Sequence, residues 1–110
     1  MVRRPRGVRV RYVAFRVEPG VSRAAIAAAI RSACEAIAGP LSPELVLYDR
    51  DRGLVRCGHR QKESVIAALN GIARVGATGA IVRTVGTSGT IRKARAKYLD
   101  SKSESGSIKV

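Results

Sequence analysis

Between Pro19-Gly20 and Gly39-Pro40, apolar residues recur at Ile26, Ile30, Ala33 and Ile37, a single stripe at i, i+4, i+7 and i+11. That period requires an amphipathic helix, and such a helix needs a second layer to cover its apolar face. Ser22 in front offers a hydroxyl acceptor to an amide of the first turn. Val21 before it stands where it can close over Ile26. Gly39 and Pro40 supply the stop. The spacing predicts a helix over 22–38. Eight of those seventeen residues are alanine, which favours helix and permits close approach by a neighbour.

The flanking segments predict the covering layer. Residues 8–17 alternate, with Val13, Phe15 and Val17 on one face and Val8, Val10, Tyr12 and Ala14 on the other. Two partly apolar faces mark a central strand. Residues 44–49 and 53–59 are short extended runs joined through Arg50-Asp51-Arg52, a hairpin length. Residues 61–75 return to helical spacing through Val65, Ile66, Leu69, Ile72 and Ala73. The Asn70-Gly71 turn signal is overruled there by the continuing period. A fourth strand is predicted over 79–86, then a short basic helix over 91–99 with Ile91, Ala94 and Tyr98 inward. The order β-α-β-β-α-β plus a terminal helix predicts an α+β fold. Its form is a ferredoxin-like split βαβ sandwich, a four-stranded antiparallel sheet with two packed helices and an added C-terminal helix. The expected core comprises Phe15, Val17, Ile26, Ile30, Ile37, Cys57, Leu69, Ile72, Ile91 and Tyr98. One domain over 8–99 is expected, between a basic arm at 1–7 and a loose tail at 100–110.

Lys and Arg number 21 against 8 Asp and Glu, a formal charge of +13, and 16 of the cations are arginine. Planar guanidinium forks suit phosphate, so nucleic acid is the expected partner. The charge is clustered in three places. One is Arg3 to Arg16, another lies at Arg50, Arg52, Arg56, Arg60 and Lys62, and the third at Arg92, Lys93, Arg95 and Lys97. No apolar run is long enough for a membrane span, and none follows the basic start as a secretory signal requires. Two cysteines fit a reducing cytoplasm better than a disulfide framework.

Several chemistries are disfavoured. Base stacking on the sheet needs aromatics sharing a face, but Tyr12 and Phe15 have opposite parity, so Phe15 is expected in the core and Tyr12 partly covered. Asp49, Asp51, His59 and Glu63 invite a metal-nuclease reading. Ion pairs and turn hydrogen bonds explain the aspartates equally well, and no catalytic residue is assigned. Cys57 and His59 sit two apart on one predicted strand face with Cys34 as a third candidate. A structural zinc site wants four ligands, so buried cysteines and a basic-surface histidine are expected, with no metal or cofactor bound by the protein. In "TSGTIRKARAKYL", Thr87, Ser88 or Thr90 can cap a helix whose free amides and four cations favour a phosphate.

The segments "RYVAF" at 11–15, "LVLYDRDRGLVRCGHR" at 45–60, "ALNGIARV" at 68–75 and "TSGTIRKARAKYL" at 87–99 resemble, in order and spacing, archaeal ribonuclease P protein component 2. That family is related to a protein shared by eukaryotic RNase P and RNase MRP. The resemblance implies a non-catalytic RNA-binding subunit of a ribonucleoprotein endonuclease, a hydrolase in tRNA processing. The RNA uses Mg²⁺ to remove the 5′ leader of precursor tRNA, and the subunit supports the catalytic domain of the RNase P RNA. It implies as partners that RNA, the TIM-barrel-like component 3, a second copy of the chain and, indirectly, precursor tRNA. Arg9, Arg11, Arg56, Arg60, Lys62, Ser88, Thr90, Arg92, Lys93, Arg95 and Lys97 are the expected RNA contacts. Ala24, Ala28 and Leu41 are expected to face a protein subunit. "TVGT" before Ser88 is smaller and more polar than the family pattern, and the Gly39–Pro43 loop is short. A structural protein of another ribonucleoprotein and a pure protein–protein adaptor are the alternatives.

Overall fold

The computed structural model describes residues 9–39 and 41–99. The basic arm at 1–7, with Arg3, Arg4 and Arg6, and the tail at 100–110 lie outside the described residues, as does Pro40. The elements run β1 (Val10–Glu18), α1 (Arg23–Ala33), β2 (Glu44–Asp49), β3 (Arg52–Gly58), α2 (Lys62–Asn70), β4 (Arg74–Val75), β5 (Thr78–Gly79), β6 (Ile81–Ser88) and α3 (Ile91–Ala94). A 3₁₀ turn at His59–Gln61 precedes α2, and a π-helical turn at Arg95–Leu99 extends α3. The main sheet has strand order β2-β3-β1-β6, antiparallel throughout, which is the ferredoxin-like split βαβ arrangement. Among the described residues no helix is long and apolar enough to cross a membrane.

β1 is central, as its two apolar faces require. Val13, Phe15 and Val17 are fully buried with Ile26 and Ile30 of α1, Val65 and Leu69 of α2, and Cys34, Val55 and Cys57. Phe15 stacks on Tyr48 at 6.3 Å between ring centroids, and its ring occupies the space beside Gly53 that a Cβ there would need. Ala14 and Leu54, on the opposite face, are covered by Ala94 with Tyr12, Tyr98 and Leu99 around them. The C-terminal segment therefore makes a second, thinner layer on the outer face of the sheet.

Several expected boundaries are corrected. α1 starts where Ser22 caps it, the hydroxyl accepting the Ala25 N–H at 3.2 Å, but it stops at Ala33 rather than running to 38. The buried Gln61 amide donates to the carbonyls of Leu41 at 2.7 Å and Ala38 at 3.3 Å, so the helix exit bonds to β3's exit rather than to another helical turn. Asn70-Gly71 does end α2. The Asn70 side chain accepts the Thr84 N–H at 3.0 Å and donates to the Thr84 hydroxyl at 3.1 Å, drawing the chain onto β6. The small β4–β5 hairpin then takes up residues that the apolar period had placed in a helix. Tertiary hydrogen bonds to Asn70 outweigh a periodicity continued by only Ile72 and Ala73. β6 begins two residues later than expected, at Ile81.

The core expectation also changes. Ile37 and Ile72 are only partly buried, Tyr98 belongs to the outer-face cluster, and Ile91 is 38 % exposed. Ile91 opens a helix of four residues in which Ala94 is the buried side chain.

Candidate nucleic-acid interface

Strand register assembles this region from distant parts of the chain. Val10 lies opposite Gly58 and Tyr12 opposite Ser88, so the start of β1 meets the ends of β3 and β6. The His59 N–H donates to the Arg9 carbonyl at 2.6 Å and ties the exit of β3 to β1. Arg9 and Arg11 thus share one end of the sheet with His59, Arg60 and Lys62, and with the Ser88–Lys93 segment. The Arg11 guanidinium reaches across this end toward Gly89. The β2–β3 turn, Arg50-Asp51, lies at the opposite end.

The two ends differ in how their charge is neutralised. At the turn end, Asp51 pairs with Arg16 at 3.7 Å and Arg52 at 3.5 Å, and its carbonyl accepts the Val17 N–H at 2.8 Å. Arg56, an expected RNA contact, is paired with Glu44 across the β2–β3 ladder at 2.9 Å. Among the described residues, no ion pair engages Arg9, Arg11, Arg60, Lys62, Arg92, Lys93, Arg95 or Lys97. The cluster at 50–62 that looked continuous in sequence is therefore split. Arg50 and Arg52 belong to the turn end, where Arg52 pairs with Asp51, and Arg60 and Lys62 to the other end.

The C-terminal segment opens on one of the expected caps. Thr90 is the cap, its hydroxyl accepting the Lys93 N–H at 3.2 Å, while its own N–H donates to the Ser88 hydroxyl at 3.4 Å. These bonds occupy the Thr90 and Lys93 amides. After Ala94 it widens into the π turn, crosses the outer face and ends with Leu99 in a cleft of about 650 Å³ beside Gly20, Val21 and the β2–β3 turn. Arg92 and Lys93 stay near the basic end. Lys97 lies 5.8 Å from the centroid of the Tyr98 ring.

His59 is partly exposed, yet its Nδ1 is enclosed and has no partner among the described residues. Burial, followed by the charges of Arg11, Lys62, Arg9 and Arg60, pushes its imidazole below the ordinary 6.5. Cys57 is buried in the core, and burial together with nearby Cys34 pushes its thiol up to about 11, Lys62 opposing. Burial raises the Cys34 thiol as well. β3 ends at Gly58, so Cys57 and His59 do not share the strand face that their spacing suggested. Among the described residues no three His, Cys, Asp or Glu side chains come together as a metal site. The histidine's setting was not legible from its neighbours in sequence, because two of the four cations around it, Arg9 and Arg11, come from the start of β1 and the residue before it.

Fold and charge together define a class: small arginine-rich split βαβ domains with one cationic sheet end and a C-terminal segment laid over the outer face. The Rpp14/Pop5 family model matches residues 11–99, and the chain belongs to that family. It is similar to the ribonuclease P protein component 2 of Archaeoglobus fulgidus, with 32 % identity over 98 residues covering 84 % of this chain and 90 % of that one. The Pyrococcus furiosus protein of the same name is 32 % identical over 98 residues, covering 81 % and 82 %. The Methanosarcina barkeri protein is 26 % identical over 96 residues, covering 81 % and 71 %.

Proposed function

We propose that this chain is a protein subunit of ribonuclease P that binds the catalytic domain of the particle's RNA and supports it in 5′ leader removal from precursor tRNA. One observation carries the RNA-binding part: among the described residues no ion pair engages Arg9, Arg11, Arg60, Lys62, Arg92 or Lys93, whereas Arg16 and Arg52 near the β2–β3 turn pair with Asp51. A folded RNA offers closely spaced phosphates that such a surface neutralises, with affinity gained through counterion release. The relatives' names supply the particle. On this reading the RNA and its Mg²⁺ perform the hydrolysis, the protein contributes no catalytic residue, and the cytoplasm is where it works. Component 3 and a second copy of the chain are the protein partners, and precursor tRNA is met indirectly. The free edge of β6, with Ile81 59 % and Val85 42 % exposed, and the exposed Ala24 and Ala28 on α1 support protein contacts.

The test is reconstitution with the RNA and component 3, comparing the chain with its R92A/K93A variant. Rescue of precursor-tRNA cleavage is expected from the chain. The variant is expected to bind RNA with a log–log salt slope lower by about 0.7–0.9 per lost contact. Failure to rescue cleavage overturns the assignment, and an unchanged slope with unchanged affinity removes these two residues from the interface.

A further inference from the structure

Three elements and the residue before β1 supply the charged groups around His59, and among the described residues none of these groups is acidic. Arg9 and Arg11 come from β1 and the residue before it, Arg60 from the 3₁₀ turn and Lys62 from the start of α2. Glu63 follows Lys62 in sequence but is exposed and does not act on the imidazole. The His59 N–H donates to the Arg9 carbonyl at 2.6 Å, which holds the His59 main chain beside the start of β1. The enclosed Nδ1, without a partner among the described residues, is an unmet hydrogen-bonding group inside the cluster. Such a convergence of positive charge is self-repulsive in the free protein and is relieved by an anion.

We propose that Arg11, Arg60 and Lys62, closed by His59, form a discrete phosphodiester-binding site in which the imidazole joins as a proton-gated donor. The inference rests on the RNA-binding reading for its natural ligand. In the free protein the four cations and partial burial keep the ring neutral near pH 7. A phosphodiester entering the site brings a negative charge that offsets those cations and favours the imidazolium. Binding then takes up one proton on His59, and affinity rises as pH falls. No covalent step is involved; the only transfer is a proton from solvent to the ring.

His59 is the only histidine of the chain, so its ring resonances are unambiguous. The first measurement is the titration of that ring by NMR in the wild-type protein, free and saturated with inorganic tripolyphosphate. An upward shift of about one unit is expected on saturation. The second measures affinity for a transcript of the RNase P RNA catalytic domain across pH, with wild type, H59Q and R83A. R83A removes an exposed β6 charge at the other end of the strand and serves as a control for net charge alone. A one-unit shift corresponds to about tenfold tighter binding at the acid limit than at the alkaline limit. Wild type and R83A are expected to show that gain, and H59Q a flat profile. A ring titration unmoved by tripolyphosphate overturns the site, whether or not RNA binds. RNA binding with the same pH profile in wild type and H59Q also overturns it, while leaving the RNA-binding reading intact. If RNA does not bind but tripolyphosphate shifts the ring, the anion site stands and the RNA reading falls.

Discussion

Tyr98 rests directly on Gly86: its ring and hydroxyl occupy the space that any side chain at position 86 would need. This contact seats the C-terminal segment on the outer face of the sheet and gives a physical reason for the small residues of "TVGT". Gly86→Ala is therefore expected to lift that segment, with an overpacking cost of about 1–3 kcal/mol. Trypsin cleavage among Arg92, Lys93, Arg95 and Lys97 should accelerate while far-UV circular dichroism keeps the sheet signal. Unaltered cleavage would mean that Tyr98 is not held there.

Burial separates three isoleucines, two of which share one helical period in sequence. Ile30, 1 % exposed, is expected to lose about 2–5 kcal/mol on change to Ala, through lost apolar contact and an incompletely healed cavity. Ile81, at 59 % exposed, should change by no more than about 0.5 kcal/mol. Ile37, past the end of α1 and partly buried, should fall between them. Urea denaturation of the three Ala variants measures the order, and an Ile37 variant as costly as that of Ile30 would contradict the early end of α1.

Gln61 is 4 % exposed and bonded at both ends of its amide, with Oε1 accepting the buried Gly58 N–H at 2.7 Å. Gln61→Leu leaves that donor and the carbonyls of Ala38 and Leu41 without this partner, an expected loss of roughly 2–4 kcal/mol. Gln61→Glu retains an acceptor for Gly58 but cannot donate to the two carbonyls when ionised, so it should also destabilise. Thermal melts of both variants check this.

The thiols should be silent in the native state. With Cys57 near 11, about one thiol in ten thousand is ionised at pH 7, and only the thiolate reacts readily. An aromatic disulfide reagent is expected to titrate neither Cys34 nor Cys57 until the protein is unfolded in guanidinium. A fast-reacting thiol in the native protein would show that one of them is accessible.

Acid stability follows from His59. Its folded value lies below the 6.5 of an unperturbed imidazole, so the unfolded chain binds the proton first as pH falls. Stability of the free protein is level above that value and declines as pH drops from it through the folded one. H59Q should remove this decline below about pH 6.5, where ordinary carboxylates are still ionised. Urea midpoints across that range provide the measurement, and identical wild-type and variant slopes would contradict it.

What could be read in sequence was whatever depends on near neighbours. The Ser22 cap, the Ile26 and Ile30 stripe, the two-faced β1 and the β2–β3 hairpin each follow from a local spacing that one element satisfies by itself. Strand alternation also placed Phe15 in the core and kept Tyr12 and Phe15 from sharing a face. The Asn70-Gly71 boundary was misjudged because periodicity says nothing of Thr84, fourteen residues on, whose hydrogen bonds hold Asn70.

Charge divided in the same way. The sequence by itself determined the fold class, the sign of the surface and the identities of the cations, since these depend on composition and local period. Only the tertiary structure decided which cations stay unpaired, because that turns on antiparallel register. Register sets Arg56 across from Glu44, and the β2–β3 turn sets Asp51 beside Arg16 and Arg52. It also brings Arg9 and Arg11 to His59, Arg60 and Lys62 across some fifty residues of chain, where no carboxylate pairs with them among the described residues. Coulomb interactions depend on distance in space, and the strand pairing sets that distance.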